Sequence, residues 1–272
     1  MFDKDAIKEL TKAEAITAAA TTMTEEAPAH MAALPNDFTV HDFERHALLR
    51  RRARGTMTTA SISDFAVYAN RHADDGATVF IRQDMTAVAV LNLGTPNAPG
   101  HADNKAKLVL QQTAAYKALL AMAGGGGHSQ TTVAEWLEDW NLHIECFHEG
   151  EQIPVRHAAA AVRKITIEAL RRVESEEQQL GTSRSAMESV QAKETGNLPT
   201  TIHFSCEPHL GLKHRTFSMR LGIITGDKPK LTLRIAAFEV HAEEMAEEMA
   251  VLVRNEVGDG MPCLVGDYAA AA

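Results

Sequence analysis

The sequence predicts an α+β fold, on three observations. β-type alternation comes in two separate blocks, near residues 77–111 and 200–240. Apolar residues recur at helical spacing between those blocks and after them. Within each block, strands follow one another through Pro- and Gly-containing turns, a pattern of antiparallel strands rather than of alternating βαβ units.

In chain order, residues 4–22 predict a helix with a partial stripe from Ile7, Leu10 and Ile16, too weak to persist without a partner. Pro28, Pro35 and a Thr/Glu/Ala mixture mark residues 21–37 as a linker, so 1–37 is expected to form a tethered arm. Residues 38–46 alternate as a strand would, and Ser61 to His72 is a short helix with Ser61 as its cap. Residues 77–94 make a hairpin through Gln83–Met85, and 105–111 a third strand beyond the turn at Pro96–Gly100. Thr113 to Ala123 is helical until four consecutive glycines stop it, and the stretch 132–140 is a further helix bearing Trp136 and Trp140. Residues 156–179 carry the longest helical stripe, followed by a polar joint to 196. Strands are expected at 200–206, 215–224 and 230–240, with Arg215, Arg220, Lys230 and Arg234 assigned to the polar face of the last hairpin. A helix follows at 241–257, then a Gly/Pro/Ala tail, 258–272. The expected organisation is an arm (1–37), an α/β region (38–196), and a hairpin with helix (197–257) packed with it, then the tail.

A chain of 272 residues, 45% hydrophobic and 23% charged, can bury a full core. It contains no apolar run long enough to span a bilayer, and its three scattered cysteines suit a reducing compartment, so a cytoplasmic protein without membrane contact is expected. A net charge of −9 opposes wholesale binding to nucleic acid. The exception is local: Arg50, Arg51, Arg52 and Arg54, with Arg45 just before them, suit phosphate oxygens or a solvated loop.

Chemistry-bearing patterns are sparse. Gly124–Gly127 is followed by His128 rather than by Lys and Ser/Thr, so it is no phosphate loop. Cys146 and His148 are too close along the chain to read as a nucleophile and its base. His101 and Asp103 could be two ligands of a metal-dependent hydrolase, but a divalent site needs three or four, and hydrogen bonding to the backbone of a tight turn is the better account of them. No catalytic residue, metal or cofactor is nominated.

Asn92, Gly94, Gly100, His101 and Asp103, followed by Thr113–Leu119 with Tyr116 and by Ser129–Gln130, form the most particular stretch. Together with Arg54–Gly55, Ser63–Tyr68 and Pro208–Leu212, it resembles the YfdQ-like family of phage and prophage proteins, a domain family of unknown function. The resemblance spans residues 38–255, with His209 where family members often carry tyrosine. It implies a phage-derived protein encoded among early genes near recombination and replication functions, and it brings no catalytic residues. The expectation is a self-assembling homo-oligomer, ring-like in one form, serving nucleic-acid metabolism or counter-defence; nucleic-acid binding through Arg50–Arg54 is the alternative.

Overall fold

A computed structural model describes residues 3–24, 44–165, 198–224 and 230–269. The chain divides into two compact units, Met1–Ala53 and Arg54–Ala272. The mixture of helices and mainly antiparallel sheets is the expected α+β class.

In the first unit, helix α1 (Lys4–Thr24) leaves Ile7, Leu10 and Ile16 54%, 58% and 47% exposed. A single 3-10 turn covers Glu44–His46, whose Glu44 carboxylate accepts the Arg51 backbone N–H at 3.0 Å. The strand expected at 38–46 is thus absent at its end, and residues 38–43 lie outside the described residues, as do 25–37 of the linker.

The second unit holds two five-stranded sheets. The first is built from β1 (Gly55–Thr59), β2 (Thr78–Ile81), β3 (Thr86–Val90), β6 (Asn104–Val109) and β12 (Cys263–Val265), in the order β1-β6-β3-β2-β12. Its centre is the expected hairpin and third strand; its two edges, β1 and β12, run parallel to their neighbours. The apolar tail therefore docks as an edge strand. A two-stranded ribbon, β4 (Gly94–Thr95) with β5 (Ala98–Pro99), forms the turn between β3 and β6.

The second sheet has the order β11-β10-β9-β7-β8, wholly antiparallel, from β7 (Ile144–His148), β8 (Glu151–Ile153), β9 (Thr201–Cys206), β10 (Arg215–Ile224) and β11 (Lys230–Ile235). The last strand ends five residues short of expectation. Ala237 enters the left-handed region at φ 49°, and a helix rich in Glu, Ala and Met begins at Phe238. Register also corrects the hairpin's faces. Arg215 pairs with Cys206 on the same side as Phe217 and Met219, so it points inward, where it meets Glu244 at 2.5 Å and Glu248 at 2.7 Å.

Helices α2 (Ile62–His72), α3 (Ala114–Ala123), α4 (Gln130–Asp139), α5 (Val155–Arg163) and α6 (Phe238–Val257) cover one face of each sheet. Ser61, Thr113 and Ser129 cap the first turns of α2, α3 and α4, each hydroxyl accepting a backbone N–H three residues on. One continuous core joins Phe65 and Leu108 to Leu119, Leu137, Phe204, Phe217 and Met249. Each such side chain contributes about 1.5–3 kcal/mol by leaving water. After Gly124 ends α3, the glycine connector is anchored rather than loose: His128 exchanges backbone hydrogen bonds with Leu231, and a side chain at Gly127 would meet Lys230 Cβ at 2.9 Å. Residues 166–197, expected to extend the long helix and joint, lie outside the described residues.

Candidate functional site

The turn from Asn92 to Asp103 leaves β3 and re-enters the sheet at β6. Asn92 is buried and closes it: its Nδ2 donates to Asp103 Oδ1 at 2.7 Å, while its Oδ1 accepts the Asn104 backbone N–H at 2.9 Å. The Ala102 N–H donates to Asn92 O, and the Gly100 N–H donates to Leu93 O.

Glycine is required where the backbone segments of this turn touch. A Cβ at Gly100 would stand 2.1 Å from Asn92 O, one at Gly94 2.3 Å from Ala98 O, and one at Gly76 2.0 Å from Gly94 O. Gly94 also adopts φ 75°, unfavourable for a side chain, while Ala102 tolerates φ 54° in a buried position. The motif is thus a closure device. Its polar groups are consumed by holding two strands in register.

His101 is exposed and makes no hydrogen bond among the described residues, whereas Asp103 is held by Asn92. The turn work expected of His101 is done by Asn92 instead. No group of three or more His, Cys, Asp or Glu side chains converges as a metal site among the described residues.

The match that places the chain extends over almost all of it: a family model for an uncharacterized conserved protein, DUF2303, fits residues 3–268. The chain belongs to the DUF2303 family. No curated protein and no solved structure matches it.

In this DUF2303 member, Tyr116 is not a surface residue of the motif but its inner anchor. It projects from α3 into the core, 5.5 Å from the His209 ring and 5.4 Å from Phe217, and burial pushes its hydroxyl up to about 12. The corner that carries His209 is fastened to the start of α3, with the Thr113 N–H donating to Pro208 O and the Thr113 hydroxyl donating to Glu207 O. His209 is buried, its Nδ1 has no hydrogen-bond partner, and desolvation holds its pKa below the ordinary histidine value.

The arginines divide between the two units. Arg50, Arg51 and Arg52 are exposed in the first, while Arg54 opens the second, where the Gly55 N–H donates to Asp103 O at 2.8 Å. Cys146 and Cys206 are buried thiols pushed up to about 12 and about 11 by desolvation, so neither is poised as a nucleophile. His148 Nδ1 is bound to Leu198 O rather than to a thiol. A surface cleft of about 490 Å³ beside Ser61, Leu210 and Leu252 offers only Ser61, Ser63 and Glu256 as reactive groups, and Ser61 is occupied in capping α2. No described helix is long and apolar enough to cross a membrane.

Sequence reasoning missed Asn92 as the closing residue and the outer faces of the two sheets. The first had a signal in Asp103–Asn104, which lie 11 and 12 residues beyond Asn92 and are its partners. The second was half signalled: alternation in the last hairpin puts Arg220, Lys230 and Arg234 on one polar face, but the rest of each face is assembled from strands distant along the chain.

Proposed function

We propose that this protein is a phage- or prophage-encoded accessory protein of the YfdQ-like type that works as a homo-oligomer in the host cytoplasm and catalyses no reaction of its own. The phage origin rests on the resemblance of the Asn92–Leu119 stretch and its companion motifs. Self-assembly rests chiefly on one observation, the face of the first sheet that no described element covers.

There Leu264, Phe80 and Val88 stand in a single cross-strand row that runs on to Lys107 and Thr58, with Val109 on the same face one row along. Leu264 is 52% exposed and Val109 37%. Tyr268 stacks on Phe80 at 5.2 Å and extends the apolar surface. An exposed apolar patch at the edge of a sheet, here bordered by Lys107, is what a protein interface uses, and a second copy of the same chain is the commonest partner. The exposed stripe of α1 supplies a second apolar surface in the other unit.

The test replaces exposed residues of this face, Leu264→Glu together with Val109→Glu, and follows mass by sedimentation. A fall in particle mass with unchanged circular dichroism is expected. An unaltered mass removes this face as the interface.

A further inference from the structure

The face of the second sheet that no described element covers points to a different partner. Register places Gln152, Phe147, Thr201, Arg220 and Arg234 in one straight row across β8, β7, β9, β10 and β11, all on the side away from the helices. The next row carries Glu145, His203 and Ser218. Phe147 and His203, half-buried on neighbouring strands, hold their rings 4.7 Å apart.

Arg220 and Arg234 are exposed and directly opposite each other, a like-charge arrangement that destabilises a strand pair. Neither has an ion-pair partner among the described residues, although the protein has an excess of nine negative charges. Arg215, on the same strand but the other face, is paired with two glutamates. The fold therefore neutralises the arginine it turns inward and leaves the outward pair open. Glu145, beside His203, is the acid on this face, and it sits on β7, two strands from Arg220.

We infer that this face binds single-stranded nucleic acid, with Arg220 and Arg234 on backbone phosphates and the Phe147–His203 rings stacking bases. Three strand spacings, about 14 Å, separate Phe147 from Arg234, enough for successive nucleotides to cross the sheet. Two guanidinium groups beside an aromatic platform, with Thr201 and Ser218 as hydroxyl donors between them, suit a flexible strand whose bases are free to stack. A duplex hides its bases and offers no stacking to a flat sheet. The inference is independent of how the chain assembles.

The full-length protein would be titrated, by fluorescence anisotropy, into labelled oligothymidylate, oligouridylate and a duplex of about 20 nucleotides at about 50 mM salt. Binding to at least one single strand at least tenfold tighter than to the duplex is expected. Arg220→Gln with Arg234→Gln should weaken it about tenfold or more and reduce the salt slope by about 1.4, two phosphate contacts at about 0.7 each. That double variant removes a repulsion, so its unfolding temperature should be unchanged or higher, which keeps lost binding distinct from lost folding. Phe147→Ala should weaken single-strand binding several-fold without changing the salt slope. Absence of binding overturns the inference, as do a preference for duplex, full binding by the arginine double variant, or loss of binding only when Arg50, Arg51 and Arg52 are replaced.

Discussion

At the scale of single residues, the Asn92–Asp103 turn separates what builds the protein from what decorates it. Gly100→Ala sets a Cβ against Asn92 O and should destabilise the fold by more than about 2 kcal/mol, while Asn92→Ala strands the buried Asn104 N–H and should cost about 1–3 kcal/mol. His101→Ala touches no such contact and should stay within about 0.5 kcal/mol. Denaturant unfolding of the three variants checks this ordering; a large loss at His101 would show that the histidine does more than sit exposed on the turn. His209 gives a pH dependence of definite sign. Its folded pKa lies below its unfolded value because burial disfavours the charged ring, so between the two values the unfolded chain binds more protons. Stability should accordingly be complete above the ordinary histidine pKa of about 6.5 and fall as pH drops through it. Unfolding temperature measured from pH 8 to pH 5 should show that fall in the parent and a shallower one in His209→Phe, whereas equal slopes would remove His209 as the cause. These residue roles were half legible beforehand. The motif stood out by its density of Gly, His and Asp, but a hydrogen-bonded turn and an incomplete ligand set share those residue types, and only the direction of the Asn92 side chain separates them.

Among the elements, those with a local cause could be foreseen and those with a distant one could not. The capped helices after Ser61, Thr113 and Ser129, and the hairpins at 78–90 and 215–235, declare themselves through caps, alternation and turn residues. β1 and β12 are only five and three residues long, and each is a strand because a parallel neighbour supplies its hydrogen bonds. The same dependence makes β12 a testable part of the core. Its entry buries Met261, and the Val79 N–H donates to Pro262 O, so ending the chain after Gly260 uncovers β2 as well as removing the tail. Loss of about 2–4 kcal/mol is expected from the buried methionine alone. A truncated chain with the parent's urea midpoint would show that β12 is an ornament on the sheet. The misplacement of Arg215 has a local origin instead: strict alternation already sets it on the face of Phe217 and Met219, opposite to Arg220, and Glu244 and Glu248 from the following helix pair with it there.

For the whole molecule, the two sheets present different chemistries to the outside. One face has an apolar patch around Phe80, Val88 and Leu264 that gives way to Lys107; the other is basic and hydroxyl-bearing around Arg220, Arg234 and Thr201. The first is the face proposed for a copy of the same chain and the second the face proposed for a strand of phosphates. The class of the fold was readable from the sequence because it follows from the order of strand and helix patterns. The outer faces were only partly readable, since alternation puts Arg220 and Arg234 on one side of their hairpin but neither face is whole until strands from four or five places in the chain lie side by side. Assembly is the claim on which the account stands, and light scattering of the purified full-length chain across a dilution series tests it most directly. The account predicts a persistent particle at a whole-number multiple of the 29.6 kDa chain. A species at 29.6 kDa throughout the series would contradict it.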